Sequence, residues 1–153
     1  MLRKAIALGL TVAALSSFSA LVSAPALADV TQLIGQDASS DMVYDFARQM
    51  GCAQRGNYFK CMQRGVEFKI DTGWLKVTSL WLYAQGVDGY SAFAGNIPLG
   101  LQWGMTPQQV SALLGPSPDG IHYRFSNLPF KAELSYYTPG PRLGRVLFTM
   151  KEY

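Results

Sequence analysis

The 153-residue chain carries one histidine, His122, and two cysteines, Cys52 and Cys61. Zinc sites are usually built from four nitrogen or sulfur ligands, so metal chemistry is poorly served. A catalytic triad around His122 would have to draw on Ser126 and Glu133, and neither stands in a nucleophile-elbow context. His122 therefore reads as an ordinary surface residue between Ile121 and Tyr123 on a strand. No glycine-rich loop leads into a helix in a phosphate-binding pattern, since Gly100 and Gly104 fit neither known spacing. Asp37, Asp41 and Asp45 lack the spacing of a calcium loop. Asp41 and Asp45 instead suit the N-terminal turn of a helix, where negative charge is favoured. Asp88-Gly89 reads as a turn. No catalytic residue, metal or cofactor is expected.

Charge is scarce as well, at 15% of residues. Setting aside Arg3 and Lys4 leaves 11 basic against 10 acidic side chains. That balance argues against nucleic acid as a partner, because phosphate binding needs concentrated positive charge. A basic amphipathic segment for a membrane surface is also missing.

The long apolar run lies at the N-terminus, over Ala5 to Val22. Arg3 and Lys4 precede it and the small-residue signal Ala26-Leu27-Ala28 follows, the pattern of a cleaved signal peptide over residues 1–28. The run approaches spanning length, so a membrane anchor is the other reading; Pro25 and the Ala-x-Ala site favour cleavage. With no cysteine at the cleavage site, a lipid anchor is not expected. The expected location is the periplasm or the medium, without stable membrane insertion. There Cys52 and Cys61 meet an oxidising compartment. A disulfide between them is the first expectation, worth about 2–3 kcal/mol in the loop-entropy model. A metal pair or a redox pair is the alternative, the latter without the usual Cys-x-x-Cys spacing.

The most legible stretch is Leu101 to Pro116. Thr106 suits an N-cap, Pro107 the first helical position and Gln109 the return contact of a capping box. Met105 and Val110 form a hydrophobic staple, and Gly115 and Pro116 end the helix. Val110, Leu113 and Leu114 make an apolar edge that must rest on something larger. An earlier helix is expected over residues 42–50, where Val43, Phe46, Ala47 and Met50 share one face. It follows a polar lead-in over residues 29–40 and ends at Gly51.

Strand patterns follow each helix. After the first come Tyr58 to Met62, the alternation of Val66, Phe68 and Ile70, and Trp74 to Ala84. The apolar parity of the last changes between Val77 and Leu80, which predicts a bulge near Ser79 or burial on both faces. After the second come Ile121 to Phe125, Phe130 to Tyr136 and Arg145 to Met150. Short turns between strands make them antiparallel. The expected fold class is α+β, two αβββ-type repeats with short helices packed on one face of an antiparallel sheet. The repeats would span residues 29–85 and 101–153, joined by a glycine-rich connector over 86–100.

The run Trp103-Gly104-Met105-Thr106-Pro107-Gln108-Gln109-Val110, with Leu114-Gly115 and prolines at 116 and 118, resembles a Gly-Met-Thr-x-x-x-Val … Leu-Gly-x-Pro signature. Two related groups carry it: the SmpA/OmlA family of outer-membrane assembly lipoproteins and the secreted β-lactamase-inhibitory proteins. The resemblance covers about 15 residues, chiefly a helix-capping recipe, and so implies a fold more than an activity. The duplication and the cysteine pair look more like the inhibitor group, in which a bridge links a helix end to a strand. The first repeat departs from the pattern, having Ser40-Asp41-Met42-Val43 in place of Gly-Met-Thr.

Aromatic side chains are the richest remaining resource. In Trp81-Leu82-Tyr83 and Tyr136-Tyr137, neighbours on a strand point to opposite faces, so one of each pair faces the side without helices. Tyr and Trp beside lysine suit a protein-binding surface. The candidate surface is Trp81, Tyr83, Tyr90, Phe93, Tyr136, Tyr137, Lys69 and Lys131. The expectation is an exported, non-catalytic module that binds another protein, with an inhibitor or immunity-type role; the alternative is an envelope-assembly factor of SmpA/OmlA type.

Overall fold

The computed structural model describes residues 29–151. The expected signal peptide over residues 1–28 lies outside the described residues. Two helices, α1 (Asp41–Gln49) and α2 (Pro107–Leu114), accompany a single antiparallel sheet of seven strands. The strands are β1 (Ala53–Arg55), β2 (Tyr58–Cys61), β3 (Val66–Asp71), β4 (Lys76–Tyr83), β5 (His122–Arg124), β6 (Phe130–Tyr137) and β7 (Arg142–Met150). They lie in the order β1-β2-β3-β4-β7-β6-β5, so the chain is α+β.

Both helices begin as their sequences dictate. The Ser40 hydroxyl accepts from the Val43 N–H at 3.4 Å and caps α1. The Thr106 hydroxyl accepts from the Gln109 N–H at 3.3 Å, while the Gln109 side chain accepts from the Thr106 N–H at 2.8 Å. That reciprocal pair satisfies donors the helix itself leaves open. Val43, Ala47, Met50 and Val110 bury into one continuous core with Phe68, Leu80, Leu82, Leu134, Val146 and Phe148 of the sheet. Phe46 adds an edge-to-face contact with Phe68, ring centroids 6.0 Å apart. Leu113, expected on the apolar edge of α2, is instead 46% exposed; Val110 and Leu114 carry the packing.

Cys52 and Cys61 are joined, with Cα atoms 4.0 Å apart. The bridge ties the end of α1 to the end of β2. Between the two cysteines lies β1, absent from the sequence expectation; it pairs with β2 from Ala53↔Lys60 to Arg55↔Tyr58. The two-residue loop Gly56-Asn57 closes that hairpin, with Gly56 at φ +62°.

The parity change in β4 is resolved by a bulge. Lys69 pairs with Ser79 and Ile70 with Val77, which leaves Thr78 as the extra residue. Val77, Leu80 and Leu82 all reach the core in consequence. A second bulge lies in β7, where Ser135 pairs with Arg145 and Tyr136 with Leu143, leaving Gly144 unpaired.

The N-terminal stretch is more than a polar lead-in. Val30–Leu33 forms a short 3-10 helix, and Val30, Leu33 and Ile34 belong to the core. Gly35 and Ala38 then donate to the carbonyls of Val77 and Leu75, and Gln36 accepts from Val77. Three buried apolar side chains, each worth about 1.5–3 kcal/mol, explain why so polar a segment stays seated.

Candidate functional site

Core contacts occupy the sheet face beneath the helices. The opposite face is legible from the pairing register, because residues opposite one another on antiparallel strands share a face. One row across it reads Lys60, Glu67, Trp81, Leu147, Glu133, His122. The next row reads Arg55, Tyr58, Lys69, Ser79, Thr149, Lys131, Arg124. Towards one end of the strands lies a shorter row of Tyr83, Arg145 and Ser135.

The connector closes over that shorter row. Tyr90 stacks on Tyr83, ring centroids 3.9 Å apart and planes 5° from parallel. Both phenols donate to Glu67 Oε2, Tyr83 from 3.3 Å and Tyr90 more closely. Lys60 Nζ stands 3.8 Å from the other oxygen of Glu67. Glu67 is thereby buried on what would otherwise be the wet side of the sheet. A charge taken out of water needs such partners, and two hydroxyls with an ammonium provide them. Burial first, and the Glu67 carboxylate next, pushes the Tyr83 phenol far above its ordinary range. For Tyr90 the order is burial, then its hydrogen bond to Glu67. Asp88, at φ +51°, sets its carboxylate 3.5 Å from Arg145, which also donates to the Ser135 hydroxyl at 3.0 Å. Val87 lies against the open face of Gly144, where an added Cβ would meet it and the Tyr137 ring.

Of the surface residues proposed from sequence, Trp81 stands half-buried mid-face, between Glu67 and Leu147. Its ring lies 6.0 Å from that of Tyr58, which is not among the residues expected on this surface. Lys69 and Lys131 stand in the row beside it, and Tyr137 lies on the same side near Gly144. Tyr83 and Tyr90 are also on this side but are buried against each other. Phe93 is in the helix-side core, its carbonyl accepting from Trp103 Nε1 at 3.3 Å, and Tyr136 packs against that core. The structure thus gathers Trp81, Lys69, Lys131 and Tyr137 on one face and sends Phe93 and Tyr136 to the other.

His122 sits at the β5 edge of the face. Its Nδ1 is 2.6 Å from Asp119 Oδ2 and its Nε2 is 3.7 Å from Glu133 Oε2. The hydrogen bond to Asp119 is the main cause that raises the imidazole above its ordinary value. Asp119 was not singled out from sequence, although its position three residues before His122 is that of a turn carboxylate. It accepts from the backbone N–H groups of Ile121 and His122 and from the Ser117 hydroxyl. Those bonds, the His122 N–H first, hold its carboxyl well below the usual carboxylate range.

Among the described residues, no group of three or more His, Cys, Asp or Glu side chains could hold a metal ion. None of the described helices is long and apolar enough to cross a membrane. A cleft of about 350 Å³ opens beside the connector, lined by Phe93, Ile97, Leu101 and Trp103 among others. In comparisons with family models, curated proteins and solved structures, nothing matches the chain.

Proposed function

We propose that the protein is an exported, non-catalytic binding module that holds another protein on the helix-free face of its sheet. The observation that carries this reading is the asymmetry of the sheet. Two helices and the N-terminal strap cover one side, while the connector covers only one end of the other. Trp81 and Leu147 stand side by side in the uncovered middle, flanked by charged and hydroxyl-bearing side chains. An aromatic anchor inside a polar surround is the composition of a protein-binding hot spot. The disulfide is compatible with an oxidising compartment. The non-catalytic reading draws support from the surroundings of His122, whose ring has two acids as its charged neighbours, Asp119 on Nδ1 and Glu133 3.7 Å from Nε2, rather than a hydroxyl or thiol that it could activate.

The finer architecture in this proposal is a tandem one, two helix-plus-strands units whose last strands, β4 and β7, meet at the centre. The strand order supports it, since β2-β3-β4 on one side is mirrored by β5-β6-β7 on the other. So does the placement of a bulge in each central strand. This is the arrangement that the resemblance to the β-lactamase-inhibitory proteins implies, and an inhibitor or immunity role follows from it. The SmpA/OmlA resemblance supports an envelope-assembly role as the second reading.

Capture from a periplasmic extract on the immobilised protein tests the proposal and separates the two roles. We expect one soluble enzyme or toxin to be retained by wild type and by Tyr44→Ala, on the outer side of α1. Trp81→Ala should weaken that retention by about 2 kcal/mol or more, the cost of truncating a buried aromatic anchor. Recovery of outer-membrane machinery instead would favour assembly. A partner held equally by wild type and Trp81→Ala would remove the open face from the account.

A further inference from the structure

Among the described residues, the carboxylates of the open face all have local partners, and several of its cations have no ion-pair partner. Glu67 is taken by Tyr83, Tyr90 and Lys60. Glu133 faces His122, and Asp88 faces Arg145. Asp71, two residues beyond Lys69 on β3, accepts from the backbone N–H groups of Gly73 and Trp74 at 2.9 and 3.0 Å and so serves its own turn. Arg55, Lys69, Lys131 and Arg124 remain, and among the described residues none of the four has a carboxylate within ion-pair distance.

These four do not lie at random. They belong to one cross-strand row, in the sequence Arg55, Tyr58, Lys69, Ser79, Thr149, Lys131, Arg124, which contains no acid. The row is nearly the same read from either end: arginine outermost, lysine inside, hydroxyls at the centre where β4 meets β7. Lys69 Nζ lies 5.8 Å from the centroid of the Tyr58 ring, which steers its charge along the row. At a strand spacing of about 4.8 Å, the seven positions extend for about 29 Å, the reach of some nine extended residues.

We propose that this row docks an acidic segment of a partner protein, laid across the strands with its carboxylates on Lys69 and Lys131 and its polar groups on Ser79 and Thr149. The inference rests on the reading of the open face as a docking surface and adds the chemistry of what docks. Lysine and arginine ends meet carboxylates, and centrally placed hydroxyls serve as donors to them. A nucleic-acid strand is disfavoured because the near-balanced charge, 11 basic against 10 acidic side chains once Arg3 and Lys4 are set aside, gives a phosphate backbone no extended positive field.

The test uses a fluorescent ten-residue glutamate peptide and the oxidised protein. Wild type should bind it, and Lys69→Glu/Lys131→Glu should bind about tenfold more weakly or less. Arg48→Glu, on the helix side, should leave the affinity unchanged. Raising the salt until the Debye length falls to about 3 Å should abolish the difference. Equal binding to wild type and to the double variant would overturn the proposal. So would tighter binding of a ten-residue thymidylate strand than of the glutamate peptide. The captured partner separates this inference from the one beneath it. Retention by the lysine double variant with loss in Trp81→Ala refutes the acidic segment alone. Retention by both variants refutes the docking face as well.

Discussion

His122 shows how far one exposed side chain can be set by its neighbours. Its pKa lies above the ordinary 6.5 chiefly through the hydrogen bond to Asp119. The folded protein therefore holds this proton more tightly than the unfolded chain does. Stability from the pair is fully present below pH 6.5 and is lost as pH rises through the higher folded value. Asp119 has the opposite sign: its depressed pKa contributes above the ordinary 3.8, and that contribution is lost as pH falls through the folded value. The pair is thus strongest in the mildly acidic window between the two. A proton NMR titration should place the His122 midpoint above 6.5, with Asp119→Asn returning it towards that value. A wild-type midpoint at or below 6.5 would contradict the geometry. Nothing in the alternation of Ile121, Tyr123 and Phe125 reveals this pairing, because Asp119 reaches His122 from a turn that carries no periodic signal.

At the scale of elements, the connector is held to the sheet at two places, one by backbone and one by side chains. Ser91 donates to the Met62 carbonyl and Phe93 to that of Tyr83. This approach is close enough that a Cβ on Gly65 would run into the backbone of Ser91 and Phe93, and Gly65 also sits at φ +66°. Gly65→Ala should therefore cost more than about 2 kcal/mol in urea denaturation, from strained backbone and overpacking together. Tyr90→Phe keeps the ring stack but leaves buried Glu67 one donor short, at a cost of about 1–3 kcal/mol. A neutral Tyr90→Phe would show that the latch is packing alone. The helices are readable from their caps, and the apolar parity of β4 admits the bulge as one of two solutions, since each is a local rule; the cysteine bridge follows instead from the oxidising compartment that an export signal implies. The connector's course is not readable in this way, because Tyr90 gains its place only when β3 and β4 bring Glu67 and Tyr83 together. The strand β1 leaves no pattern in the sequence for a related reason: Ala53, Gln54 and Arg55 are all exposed, so no buried face marks them. Its one signal was the Gly56-Asn57 pair between two short runs.

For the molecule as a whole, the consequence of this topology is a sheet with one face shared by both helices and one face left to the connector and solvent. The α+β class and the antiparallel pairing followed from short turns and alternation, yet the identity of the uncovered residues depended on register. Trp81, Lys69 and Lys131 lie on the helix-free side because each is out of phase with the core residues beside it, Leu80 and Leu82, Phe68, and Ala132. Phe93 and Tyr136 joined the opposite core, since a loop aromatic has no parity and Tyr136 has the same phase as Leu134 on β6. On the function proposed above, a partner protein sits on the helix-free face. A photo-crosslinking amino acid placed singly at Thr149, in the middle of that face, or at Tyr44, on the outer side of α1, tests this most directly. Irradiation in a periplasmic extract should give a covalent adduct from Thr149 and none from Tyr44. An adduct from Tyr44 with none from Thr149 would put the partner on the helices and contradict the account.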